Sequence, residues 1–120
     1  MKANLTIQDW LDAGYKRYNN WDSSGAEFLL QKRFDDEYGK KYFINIRVFN
    51  WKEFKVNNRN PHLPDYSFAP DIQFQFEGGE RPTMNVELIL SNDHTIETVE
   101  KEFENLWILM GKPYYEVWET

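Results

Sequence analysis

The residues whose types could do chemistry are two histidines, one pair of carboxylates and one polar loop. His62 lies in the stretch KVNNRNPHLPD at 55–65, with Arg59 and Asp65 close by in sequence. His94 lies in NDHT at 92–95. Histidine is the usual acid, base or metal ligand near neutral pH. An Asp93–His94 pair is one reading of the second; an exposed residue in a helix-capping loop is the favoured one. No HExxH or His-x-His spacing is present, so no metal site and no cofactor are expected. The chain has no cysteine, which excludes disulfides, thiolate zinc sites and cysteine nucleophiles together.

The carboxylates are Asp71 and Glu87. Ile72, Phe74 and Phe76 alternate with polar residues, as do Met84, Val86, Leu88 and Leu90, giving a hairpin with one dry and one wet face. Matching the dry faces around a turn at 78–82 sets Phe76 opposite Met84, Phe74 opposite Val86 and Ile72 opposite Leu88. Asp71 and Glu87 then emerge as diagonal neighbours on the wet face, roughly 7 Å apart. Two acid/base carboxylates could use that spacing, although polar residues on a solvated face produce such pairs routinely. The order Pro70-Asp71 followed by Glu87-Leu-Ile89 departs from the nuclease signature that holds Mg²⁺, because Ile89 stands where the lysine belongs. No nucleophile elbow, phosphate loop or dinucleotide fingerprint occurs. No catalytic residue is therefore assigned, and a non-enzyme is favoured over an enzyme.

The polar loop runs over 52–66, about 15 residues, longer than most connections in a compact domain. Pro61 and Pro64 stiffen it, and Asn57, Asn58 and Asn60 favour turns. Lys55, Arg59, His62, Asp65 and Tyr66 are the candidate partner-binding residues; the basic members suit an acidic partner or an anionic ligand. Beside the loop, Phe43, Arg47, Phe49 and Trp51 share one face of a strand over 41–51. Arg47, Phe49 and Trp51 are candidates for stacking a planar ligand, unless an N-terminal helix with Trp10 and Tyr15 covers them.

These residues need elements to hold them. TIQD at 6–9 has the capping-box form and starts a helix. Its apolar spacing reaches Tyr18, yet Gly14 equally suits a left-handed helix terminator. A loop follows at 19–25. Segments at 27–34 and 41–51 flank a turn over 35–40 and read as a first hairpin, the earlier of them also compatible with helix. Ile96, Val99, Phe103, Leu106, Trp107 and Met110 form the apolar stripe of a helix over 96–110, capped by Thr95 or Asp93. Glu97, Glu100 and Glu104 fall on its outer side, where they could mimic phosphates or simply meet solvent. A short strand is expected at 113–118. The fold class is α+β. It comprises an antiparallel sheet of about four to five strands in two hairpins, a C-terminal amphipathic helix on one face and a short N-terminal helix, all in a single domain, 1–120.

Composition bounds the function. Net charge is −6, with 11 Lys and Arg against 8 Asp and Glu in residues 1–60, and 3 against 12 in residues 61–120. That balance argues against duplex nucleic acid. No signal core or membrane-spanning run is present in the sequence, so a soluble, cytoplasmic protein with no membrane partner is expected. Small, acidic, cysteine-free and 18% aromatic, the chain has the style of compact binding or inhibitor proteins, such as virus-encoded accessory proteins, by analogy alone. The first expectation is a non-enzymatic protein that meets a protein partner through 52–66 and the adjoining aromatics. The alternatives are a small-molecule or nucleotide binder around Arg47, Trp51 and Arg59, and a hydrolase using Asp71 and Glu87; a homodimer is compatible with all three.

Overall fold

A computed structural model describes residues 5–18, 25–36, 39–75 and 83–111. The elements are α1 (Ile7–Asp12), β1 (Lys16–Tyr18), β2 (Phe28–Asp36), β3 (Gly39–Asn50), α2 (Lys52–Asn57), β4 (Tyr66–Gln75), β5 (Thr83–Glu87) and α3 (Ile96–Leu109). The five strands form one antiparallel sheet in the order β1-β2-β3-β4-β5, so each strand lies beside its neighbour in sequence. With two helices flanking it, this is an α+β fold. The expected turn at 78–82, Phe76 and the strand at 113–118 fall outside the described residues.

Alternation decides which side of the sheet is dry. Phe28 and Leu30 on β2, Tyr42, Ile44, Ile46 and Val48 on β3, and Ile72 and Phe74 on β4 are all buried, and residues two apart on a strand share a face. Val99, Phe103 and Trp107 from α3 join the same cluster. Trp107 meets Tyr42 at 5.7 Å between ring centroids. Trp10, the buried residue of α1, belongs to this cluster too and lies 6.0 Å from Phe68. The N-terminal helix is therefore on the same side as α3 and does not cover Phe43, Arg47, Phe49 and Trp51.

Three local differences from the sequence reading have physical causes. The N-terminal helix stops at Ala13 because Gly14 takes φ 102, a conformation that costs glycine little. The chain then turns so that Tyr15 packs edge-on against Trp10 at 5.1 Å. Residues 16–18 pair with β2 as an edge strand instead of extending the helix. Thr6 and Asp9 make the reciprocal capping bonds expected of them.

Second, β4 and β5 pair two residues out of the expected register: Phe74 faces Met84, Ile72 faces Val86 and Asp71 faces Glu87. A slip of two preserves which side is dry, so alternation cannot detect it; only turn length can. The correction makes Asp71 and Glu87 direct partners instead of diagonal neighbours.

Third, Glu100 is not on a solvated helix face. Its carboxylate accepts from the Tyr15 hydroxyl at 3.1 Å and from Lys32 Nζ at 3.1 Å. Glu100 thus ties α3 to the N-terminal segment and to β2. Burial, with Glu100 beside it, holds the Tyr15 hydroxyl protonated well above the ordinary tyrosine range.

Candidate functional site

The region expected to be a long loop is part helix. Lys52–Asn57 forms α2, started by the Asn50 side chain accepting from Lys52 N at 3.0 Å. The N-cap residue itself is Trp51, which makes no side-chain capping bond; the Asn50 bond is a local turn just ahead of the helix. The helix ends at Asn58, whose side chain donates to Phe54 O at 2.9 Å. Arg59 then takes φ 49, a left-handed turn position. Asn60 N donates back to Lys55 O at 3.0 Å, and His62 N donates to the Asn60 side chain at 3.2 Å. Hydrogen bonds of the chain with itself order this segment.

Two further bonds close its two ends together at the end of the β3–β4 pair. Trp51 N donates to Asp65 O at 2.7 Å, and Lys55 Nζ pairs with Asp65 Oδ1 at 3.2 Å. Of the five candidate partner-binding residues, Lys55 and Asp65 are thus joined to each other. Tyr66 opens β4 beneath Lys52 Nζ, 4.9 Å from the ring centroid. Arg59 and His62 are exposed.

Sequence reasoning did not single out Phe54 and Val56. They are 50% and 75% exposed, and α2 contains no buried residue. Phe54 extends an aromatic row: Phe49 and Trp51 stack at 6.3 Å, and Trp51 meets Phe54 edge-on at 5.7 Å. The Trp51 indole NH donates to Ser67 Oγ at 2.7 Å. Trp51 is therefore engaged by the protein's own rings. Arg47 is likewise occupied, its Nη2 lying 2.7 Å from Glu87 Oε1, while its buried Nε has no hydrogen-bond partner among the described residues. The three ligand-stacking candidates share a face, but Arg47 is an ion-pair partner before it is a stacking cation.

The face that carries Arg47 also holds a polar row. Gln31 donates to Asn45 Oδ1 at 2.8 Å; Asn45 donates to Gln73 Oε1 at 2.8 Å and to Asp71 Oδ1 at 3.1 Å; Asn85 donates to the same Asp71 oxygen at 3.0 Å. Asn45 and Asp71 are only 4% and 6% exposed. Burial raises the Asp71 carboxyl above its ordinary value, and the two amide donors oppose that rise. Glu87 beside it is exposed and ion-paired. The two carboxyls thus sit in contrasting environments, as an acid and a base would, but Asp71 is sunk in amides and is not among the residues lining the groove beside β4. The row is built as a structural network.

His94 lies in the loop just before the α3 N-cap, as the favoured reading has it, but it is partly buried and does not pair with Asp93. Its Nδ1 accepts from Ser91 N at 2.8 Å, and its Nε2 lies 3.2 Å from Glu102, not against Asp93. Thr95, not Asp93, caps α3. Among the described residues no cluster of three His, Asp or Glu could hold a metal ion. No described helix is long and apolar enough to cross a membrane.

A groove of about 1220 Å³ joins the two regions. His62, Asp65 and Tyr66 line one wall; Glu87, Leu88 and His94 lie along the other. No protein-family model, no curated protein and no solved structure matches this chain.

Proposed function

We propose that this is a non-enzymatic binding protein that contacts a protein partner through α2, the turn that follows it and the aromatic row beside it. The observation that carries the reading is that α2 buries none of its residues yet is held by the Asn50 and Asn58 side-chain bonds at its two ends and by the Lys55–Asp65 pair. Burial in the core does not account for such a helix. Its exposed Phe54 is an aromatic side chain of the kind enriched at interface centres, with the apolar Val56 two residues on. Arg59 and His62 supply the polar rim. The small-ligand alternative is weakened by Trp51, whose ring and NH are engaged by Phe49, Phe54 and Ser67. The inhibitor or accessory role belongs to this proposal as one form that such a partner contact takes.

The test is native mass spectrometry of the chain purified gently from its own cell extract, alongside a Phe54→Ser, Val56→Ser variant. The expected result is an added protein mass with the unaltered chain and its loss with the variant. A small added mass retained by both would replace this reading with the ligand-binding one.

A further inference from the structure

Strand β4 is paired on both sides over only part of its length. Its register with β3 runs from Tyr66 to Gln73, whereas its register with β5 covers only Asp71–Gln75. Trp51 N bonds Asp65 O, so the backbone groups of residues 65, 67, 69 and 71 point toward β3, and those of 66, 68 and 70 point the other way. The last bond on that other side is Leu88 N to Pro70 O at 2.9 Å. Pro70 has no NH to return to Leu88 O, so the ladder stops there. The chain beyond Glu87 then leaves the sheet. It opens the groove against which the outward N–H and C=O groups of Tyr66 and Phe68 lie, with no partner among the described residues.

Resting on the proposed binding function, we infer that this groove receives an extended, basic segment of the protein partner, which adds to the sheet as a strand beside Tyr66–Phe68–Pro70. Strand addition uses main-chain hydrogen bonds for affinity and alternate side chains for specificity. Alternate residues of the added strand face Ile7, Phe68 and Leu90, which line the groove and pack against the core. The intervening residues meet charge. Asp65 and Glu87 line the groove, and none of its described lining residues is a Lys or Arg. Each carboxylate binds one cation through one oxygen, Lys55 on Asp65 Oδ1 and Arg47 on Glu87 Oε1, and each side chain stays more than half exposed, 54% and 66%. A Lys or Arg of the incoming segment can share these carboxylates. The groove is continuous with the α2 surface through Asp65 and Tyr66, so one partner can span both.

The probes are three synthetic peptides added to the full chain while backbone amide signals are followed: alternating Val and Lys, its fully N-methylated counterpart, and alternating Val and Glu. The inference expects slowed exchange at the Tyr66 and Phe68 amides with the first peptide only, and about 5-fold weaker binding of it to Glu87→Gln, the effect of one exposed ion pair. Equal binding of the N-methylated peptide would reduce the effect to charge and overturn strand addition. No response to any peptide would overturn it as well. Protection of the same amides that grows with protein concentration alone would assign the edge to a second copy of this chain. Each of these failures leaves the Phe54 and Val56 test intact, and loss of that test leaves the amide result readable.

Discussion

Beneath α1 and α3, Tyr42, Ile44, Ile46 and Val48 are removed from water by apolar neighbours that need only fit. On the opposite side of the same strands, Asn45 and Asp71 are almost as deeply buried, but each is held by named donors and acceptors at 2.8–3.1 Å. Apolar burial is non-directional and scales with area. A buried amide network is directional, and one missing member leaves its neighbours unsatisfied. The two faces should therefore fail differently, and four substitutions measure the difference.

The largest effect belongs to the dry face. Phe103→Ala removes a 2% exposed ring from the cluster where α3 meets the sheet, at an expected cost of about 3–5 kcal/mol in chemical denaturation. A cost under about 1 kcal/mol would mean that α3 does not hold the sheet.

Asn45→Ala comes next, at about 2–3 kcal/mol. It strands the Gln31 amide and removes one donor from Asp71 and one from Gln73. Asn45→Asp should cost at least as much, because it sets a second carboxylate against Asp71. A similar small loss for Ala and Asp would show the row to be more hydrated than its burial implies.

How much of this contrast the sequence carried depends on what alternation encodes. Parity along 42–48 and 72–74 told which residues share the dry face, since apolar side chains recur every second position. It could not tell register, because a slip of two leaves every side chain on its own face. The pairing of Asp71 with Glu87 therefore appeared only with the backbone. Gln73 read as one of the polar residues of the wet face and Asn45 as no more than a neighbour of Arg47 on its strand face, and no local signal distinguishes an amide that bonds across strands from one that bonds water. β1 is three residues long and buries none, too short for any period. Proline and asparagine suggested a loop over 52–66, and they hid α2, whose Phe54 and Val56 lack the partner face that marks an amphipathic helix. Of the candidate site, Lys55, His62, Asp65 and Tyr66 were legible by position; the truncation of the ladder at Pro70 was not, because it required knowing which side of β4 the proline faces.

A smaller effect, opposite in sign, separates the faces by pH. Asp71 is raised above its ordinary 3.8 in the fold, so the folded state binds more protons than the unfolded one between those two values. Its contribution to stability is fully present below 3.8 and is lost as pH rises through the folded value. Asp71→Asn keeps an oxygen for Asn45 and Asn85 and removes the charge. The variant should be more stable than the parent at neutral pH, with the gap closing as pH falls through the carboxylate range. A gap constant with pH would mean that the carboxyl is not desolvated.

The smallest expected effect on stability is the most informative about function. Phe54→Ser with Val56→Ser changes two apolar residues that the fold leaves exposed, so denaturation should move by no more than about 0.5 kcal/mol. The same chemical change at Phe103 and Val99 would unfold the chain, since both belong to the buried cluster. Aromatic residues are kept in a core by the stability they confer, and that argument is absent at α2. An unchanged midpoint with lost partner binding would leave recognition as the reason those side chains are there. A shift beyond about 2 kcal/mol would instead make α2 a structural support for Trp51 and the start of β4, and would move the contact surface off the helix and onto the open edge beside Tyr66.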